Sequence, residues 1–289
     1  MTQTEMVPTR NLYSVTTLIK EAMGKGDALV GWAAKVVAER AWNDHEILAA
    51  YVKAGKREEG LKWLKGARWE KTQKAQYRGK QLHTAAEYLA LGKTVEEAGV
   101  AEIHLPWVFQ FQRFLDDHAP EYLMAEAPVY NLTQMYAGTL DGVIRLPFTE
   151  LGTLRVLMDV KTTDTGPNDV NESGRPKARH PFIEVALQCC AYSRAEYVGL
   201  DPARRNDGKA GRRVYTFDEL TKTEPMMEVD GAICLVVSPV DYEIRTIAID
   251  DEVWRSFLHC REVARYRLEI SKRVIGPVVT TVREGVSAA

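Results

Sequence analysis

Between Leu154 and Lys161 the chain reads as a strand whose two faces differ in kind. Strict alternation puts Leu154, Val156, Met158 and Val160 on one face and Arg155, Leu157, Asp159 and Lys161 on the other. The first face is core. The second ends in a carboxylate beside an ammonium, and an apolar strand carries such a pair at a site or at a solvated edge. Upstream, Gly138-Thr139-Leu140-Asp141-Gly142-Val143-Ile144 is a second strand pattern with a single acid. Antiparallel pairing of the two would bring Asp141 and Asp159 together.

Downstream, the helical stretch from Phe182 to Tyr197 places Glu184, Gln188 and Tyr192 at successive i,i+4 positions on one face. Such a polar face is ordinarily solvated. Upstream, His83 follows Arg78-Gly79-Lys80-Gln81-Leu82 in a helix with apolar residues at 82, 85, 86 and 89. Read alone, a helical histidine is more often a surface or hydrogen-bonded residue than a ligand.

Taken in order over Tyr77 to Tyr197, these elements resemble the PD-(D/E)XK nuclease superfamily, and its RecB-like exonuclease branch in particular. Tyr13 to Leu18 has a looser similarity to phage-encoded members. The resemblance implies an α/β fold with a restriction-endonuclease-like core: a central mixed β-sheet flanked by helices, with an N-terminal helical region. It implies Asp141, Asp159 and Lys161 as the catalytic group. It further implies a metal held by His83, Asp141, Asp159 and the main-chain carbonyl of Val160, and DNA contacts from Gln188 and Tyr192. Glu184 is not carried over. Asp159 stands where many members have glutamate. Glu126, placed at the opening of the sheet, is either an acid that approaches the metal, as in lambda-exonuclease-like relatives, or a solvent-exposed acid at a strand start.

The chemistry agrees with hard oxygen donors around magnesium, with imidazole making manganese an alternative. Lys161 either orients or deprotonates the attacking water, or sets positive charge against the phosphate. An unperturbed imidazole ligates only above a pKa of roughly 6.5, so activity is expected to fall on acidification through that region.

At 289 residues and 45% hydrophobic content the chain can bury a substantial core, expected as one domain. Residues 1–125 read as helical, 126–275 as the nuclease core and 276–289 as a tail, with residues 163–180 and 201–224 as loops. Arg175, Lys177 and Arg179 of the first loop, and Arg204, Arg205, Lys209, Arg212 and Arg213 of the second, either reach DNA or are merely solvated. The helical stretches 28–42 and 47–54 are expected over the core. No apolar run suits a membrane span or a leader, so a cytoplasmic protein is expected.

Cys189, Cys190, Cys234 and Cys260 lack CxxC spacing and none precedes the core, which favours reduced thiols over an iron–sulfur cluster or a structural zinc. The formal charge is −2, yet Lys53 to Lys80 holds ten Lys or Arg and three acids, a local net of +7. Lys62, Lys65, Lys71 and Lys74 are therefore candidates for phosphate contacts beside the site, against the alternative of an ordinary solvated helix. No GxxxxGK[ST] motif occurs, so an ATP-driven motor is excluded.

The expectation is a metal-dependent deoxyribonuclease, exonucleolytic, acting on DNA in phage or bacterial recombination, replication or repair. A single-strand annealing or recombination protein is the candidate partner. A structure-specific or restriction-type endonuclease, and a catalytically silent DNA-binding protein on the same scaffold, stay open as alternatives.

Overall fold

The computed structural model describes residues 9–24, 26–148, 151–166, 168–170, 174, 181–208 and 212–276. Arg175, Lys177, Arg179, Lys209 and the expected tail from residue 277 onward lie outside them. The described residues build an α/β fold in which one large mixed sheet is flanked by helices on both faces.

Strand β1 (Arg10–Ser14) lies in the stretch expected to be helical. β2 (Glu121–Asn131), β3 (Tyr136–Phe148) and β4 (Gly152–Thr162) form a meander. β5 (Tyr197–Gly199), β6 (Arg205–Gly208), β7 (Arg212–Phe217), β8 (Thr223–Pro225), β9 (Gly231–Val237) and β10 (Tyr242–Ile247) follow. The main path is β10-β9-β4-β3-β1-β7-β6, with β2 on β3 and β5, and β8 on β5. β1 runs parallel to β3, and β9 parallel to β4. The stretch 201–224, expected as loop, thus contains the β6–β7 hairpin, which pairs antiparallel with β1 some two hundred residues away in sequence.

The alternation expected of β4 is present. Val156, Met158 and Val160 face one helical layer and Leu157 the other. On the Leu157 side lie α1 (Val15–Met23), α6 (Glu184–Ser193) and α7 (Asp251–Leu268), with Leu18, Ile19, Val185 and Phe257 buried. Ser14 caps α1 by accepting from the Thr17 N–H at 3.0 Å, and Asp250 caps α7 in the same way. On the Val156 side lie α5 (Leu105–His118), with Pro106 in its first turn, and the C-terminal half of α4 (Arg57–Ala90). Leu82, Ala85, Phe111 and Phe114 are buried there.

Helices α2 (Gly26–Asn43) and α3 (His45–Lys53) do not cover the sheet as expected; they pack on the front half of α4. Small residues give α2 little to bury, and Val36 is its one fully buried side chain among the described residues. Polar groups fasten it instead. Arg40 donates to the Trp63 carbonyl at 2.9 Å, pairs with Glu70 and lies over the Trp63 ring, while Lys71 meets Glu39 at 2.8 Å. No helix among the described residues is long and apolar enough to cross a membrane.

Gly138 of β3 is packed so closely by Tyr192 of α6 that an added Cβ would lie 2.4 Å from Cε1. Gly138→Ala is expected to destabilise the fold by about 1–3 kcal/mol through overpacking. Tyr192→Leu should recover part of that loss in the double variant, as thermal or denaturant unfolding will show.

Candidate metal centre at the strand fork

β2 occupies one edge of β3 from Tyr136 to Arg145, so β1 and β4 must share the other. β4 pairs with β3 from Phe148 back to Gly142, and β1 takes over at Ala137 and Tyr136. Between them the strands fork. At the fork the Asp141 carboxylate replaces the next rung of the ladder, its Oδ2 accepting from the Val160 N–H at 2.7 Å.

β4 continues beside β9, with Asp159 in register with Cys234. Asp159 is only 2% exposed. Lys161 Nζ donates to it at 2.6 Å, Gln188 Nε2 donates to Oδ1 at 3.1 Å, and the Cys234 Sγ lies 3.7 Å from Oδ2. A buried carboxylate is tolerable only with such partners.

Glu126 is not at a strand start, as the sequence suggested, but in the middle of β2. The pairs Ala125–Gly142 and Ala127–Leu140 put it opposite Asp141. Its φ is 46°, a left-handed conformation that costs a non-glycine residue about 1–2 kcal/mol. The consequence is visible in packing: Leu140 and Val143, an odd three positions apart, lie in one core cluster, as do Met124 and Ala127. A regular strand would send each pair to opposite faces. Both strands therefore turn over at Glu126 and Asp141.

His83 enters from α4. Its Nδ1 lies 2.9 Å from Glu126 Oε1 and 3.6 Å from Asp141 Oδ1. Ligand atoms of His83, Glu126 and Asp141 all fall within 4.8 Å of one another. Two hard carboxylates and one imidazole suit magnesium or manganese. Beside them the Tyr122 hydroxyl is buried without a partner, its pKa raised first by burial and then by Asp141. Tyr122 escaped the sequence reading because nothing in its local pattern distinguishes it from a packing tyrosine. Arg78 and Trp107 escaped it too. Arg78 meets Asp164 at 2.5 Å and stacks over Trp107, whose Nε1 donates to the Thr163 carbonyl, so α4 and α5 grip β4 where it leaves the site.

The expected ligand set is thus redistributed. Asp141 and His83 are together, Glu126 joins them, and Asp159 stands one strand away with its oxygens engaged by Lys161 and Gln188. Val160 touches Asp141 through its N–H. Tyr192, expected to contact DNA, is 3% exposed with its ring over Gly138, and has a packing role instead. Lys62 and Lys65 are exposed but lie ~32 and ~27 Å along α4 from His83 at 1.5 Å per residue, so they are not beside the site.

The electrostatics follow from this crowding. The Asp141 charge, opposed by burial and aided by Glu126, pushes His83 up to about 9. Burial pulls Lys161 down, but Asp159 and Asp141 outweigh it and hold the ammonium above the usual lysine value. Burial raises the Asp159 carboxyl against the pull of Lys161. Burial likewise raises the Cys189 and Cys234 thiols, as suits reduced cysteines. No protein-family model and no curated protein matches this chain, so the family resemblance rests on these residues themselves.

The raised His83 pKa moves the titration window above the one expected for an unperturbed imidazole. Because the folded value exceeds the unfolded value of roughly 6.5, the His83⁺ contribution to stability is complete below that pH. It is lost as pH rises through about 9. In metal-free protein, the difference in melting temperature between parent and His83→Ala should shrink from pH 6 to pH 10, and the His83 imidazole should titrate near 9 by NMR.

Proposed function

We propose that the chain is a divalent-metal-dependent deoxyribonuclease of the PD-(D/E)XK type, acting as an exonuclease. One observation carries this reading: Asp141 joins two polar groups, turning Oδ1 to His83 and Glu126 while Oδ2 holds the Val160 peptide between Asp159 and Lys161. Carboxylates and an ammonium on adjacent strands suit phosphodiester hydrolysis, which needs a water nucleophile, charge neutralisation at phosphorus and support for the leaving oxygen.

His83, Glu126 and Asp141 would hold the cation, which supplies positive charge to the phosphate and acidifies water. The remaining work falls to the protein. Asp159 fixes Lys161 at 2.6 Å, which places its Nζ as a polar group toward the phosphate or the attacking water. Gln188 also donates to Asp159, at Oδ1, and helps fix that carboxylate. His83 supports the exonuclease reading through the resemblance that places a histidine on this helix.

Asp159→Asn keeps the buried shape and should lower cleavage of linear DNA with Mg2+ by roughly 100-fold or more, a loss comparable to removing one preorganised charge-stabilising group. Lys161→Ala is a poorer test because it strands a buried carboxylate and weakens the fold. Parent-like cutting by folded Asp159→Asn would overturn the assignment. Equal rates on end-labelled linear and closed circular DNA would turn the reading to an endonuclease.

A further inference from the structure

Successive α-helical residues turn by about 100°, so the side chains of α4 that share a stripe with His83 can be counted off. Lys62, Lys65, Arg68, Trp69 and Lys80 fall within about 60° of His83 around the axis, whereas Lys71 and Lys74 fall about 120–180° away. Packing agrees with the count. Lys71 meets Glu39 of α2 on the far side, and Glu70 and Trp63 receive Arg40 there. A surface hollow of about 420 Å³ on the near side is lined by Leu61, Lys62, Lys65, Gly66 and Trp69, with Glu58 at its outer end.

On this near stripe, Lys62, Lys65 and Lys80 are exposed and have no ion-pair partner among the described residues. Arg68 stacks over Trp69 at 4.8 Å. Trp69 is 58% exposed. Unpaired cations repeated along a helix that ends at a phosphodiester-cutting site suit a phosphate backbone, and the exposed indole suits a base face. A duplex hides its bases in the stack; a single strand offers both features at once.

We propose that this face of α4 is a track for single-stranded DNA, with a base stacked on Trp69 ~21 Å along the axis from His83 and phosphates on Lys62, Lys65, Arg68 and Lys80. Lys71 and Lys74 are not part of it. The track's role as a substrate path rests on the nuclease reading, but its binding of DNA does not.

The test is fluorescence anisotropy of a labelled oligothymidylate, longer than the track, titrated with full-length protein in EDTA at several salt concentrations. Lys62→Ala/Lys65→Ala should flatten the slope of log affinity against log salt by about 1.4, at ~0.7 per lost single-strand contact. Trp69→Ala should weaken binding roughly 5- to 150-fold, consistent with the loss of one stacked base. Lys71→Ala/Lys74→Ala should bind like the parent. The track is overturned if both lysine pairs have equal effects, if Trp69→Ala is silent in folded protein, or if blunt duplex competes as well as the oligothymidylate. Cleavage by the parent in Mg2+ is scored separately. Track-dependent binding without cleavage would overturn the nuclease reading alone, and cleavage with unaltered binding by the track variants would overturn the track alone.

Discussion

The hydrogen bond from the Val160 N–H to Asp141 Oδ2 is the constraint on which the rest of this site depends. It is a strand–strand rung made by a side chain. Had the β3–β4 ladder continued in the ordinary way, the peptide would be satisfied by backbone and Asp141 would be free to point elsewhere. Because the carboxylate closes the ladder, β4 can leave β3, β9 can carry it onward, and β1 can take the vacated edge of β3. The site is the gap that this exchange of partners opens.

Charge crowding at the fork is then managed locally. Asp159 stays in the interior because Lys161 and Gln188 satisfy it, and an unpaired carboxylate at that depth would cost several kcal/mol. On the other side, His83 takes up a proton between Glu126 and Asp141 and so neutralises part of their repulsion in the absence of a cation. Glu126 reaches that position only through a left-handed backbone conformation. That conformation, at about 1–2 kcal/mol, is carried by the residue whose carboxylate faces His83 and Asp141, the group proposed to hold the cation.

Much of this was legible in the sequence. The faces of β4 follow from alternation alone, and the nearness of Asp141 to Asp159 from two facing strand patterns. Glu126 was misplaced for a physical reason. Alternation breaks at Glu126 itself, and a period-two reading therefore starts the strand late and leaves Glu126 at the opening of the sheet. β1, β6 and β7 are short, and Leu12, Tyr215 and Phe217 form a cluster only once β1 and β7, distant in sequence, have paired. Tyr192 shares an i,i+4 face with Gln188, but its destination is set by the missing side chain of Gly138. The faces of α4 could be counted from sequence, whereas the side taken by α2 needed the Arg40 contacts.

The central claim, that Glu126 is held in a strained conformation in order to ligate a divalent cation with His83 and Asp141, is open to one direct measurement. Glycine adopts a positive φ freely, so Glu126→Gly keeps the backbone path and removes the carboxylate. Melting temperature should be followed against Mn2+ concentration for parent and Glu126→Gly at one pH. Ligand binding to the folded state raises stability by RT ln(1 + [L]/Kd), so the parent should gain melting temperature steadily with Mn2+ and the variant should need a markedly higher concentration for the same gain. Superimposable curves would show that Glu126 holds no cation and would contradict the account.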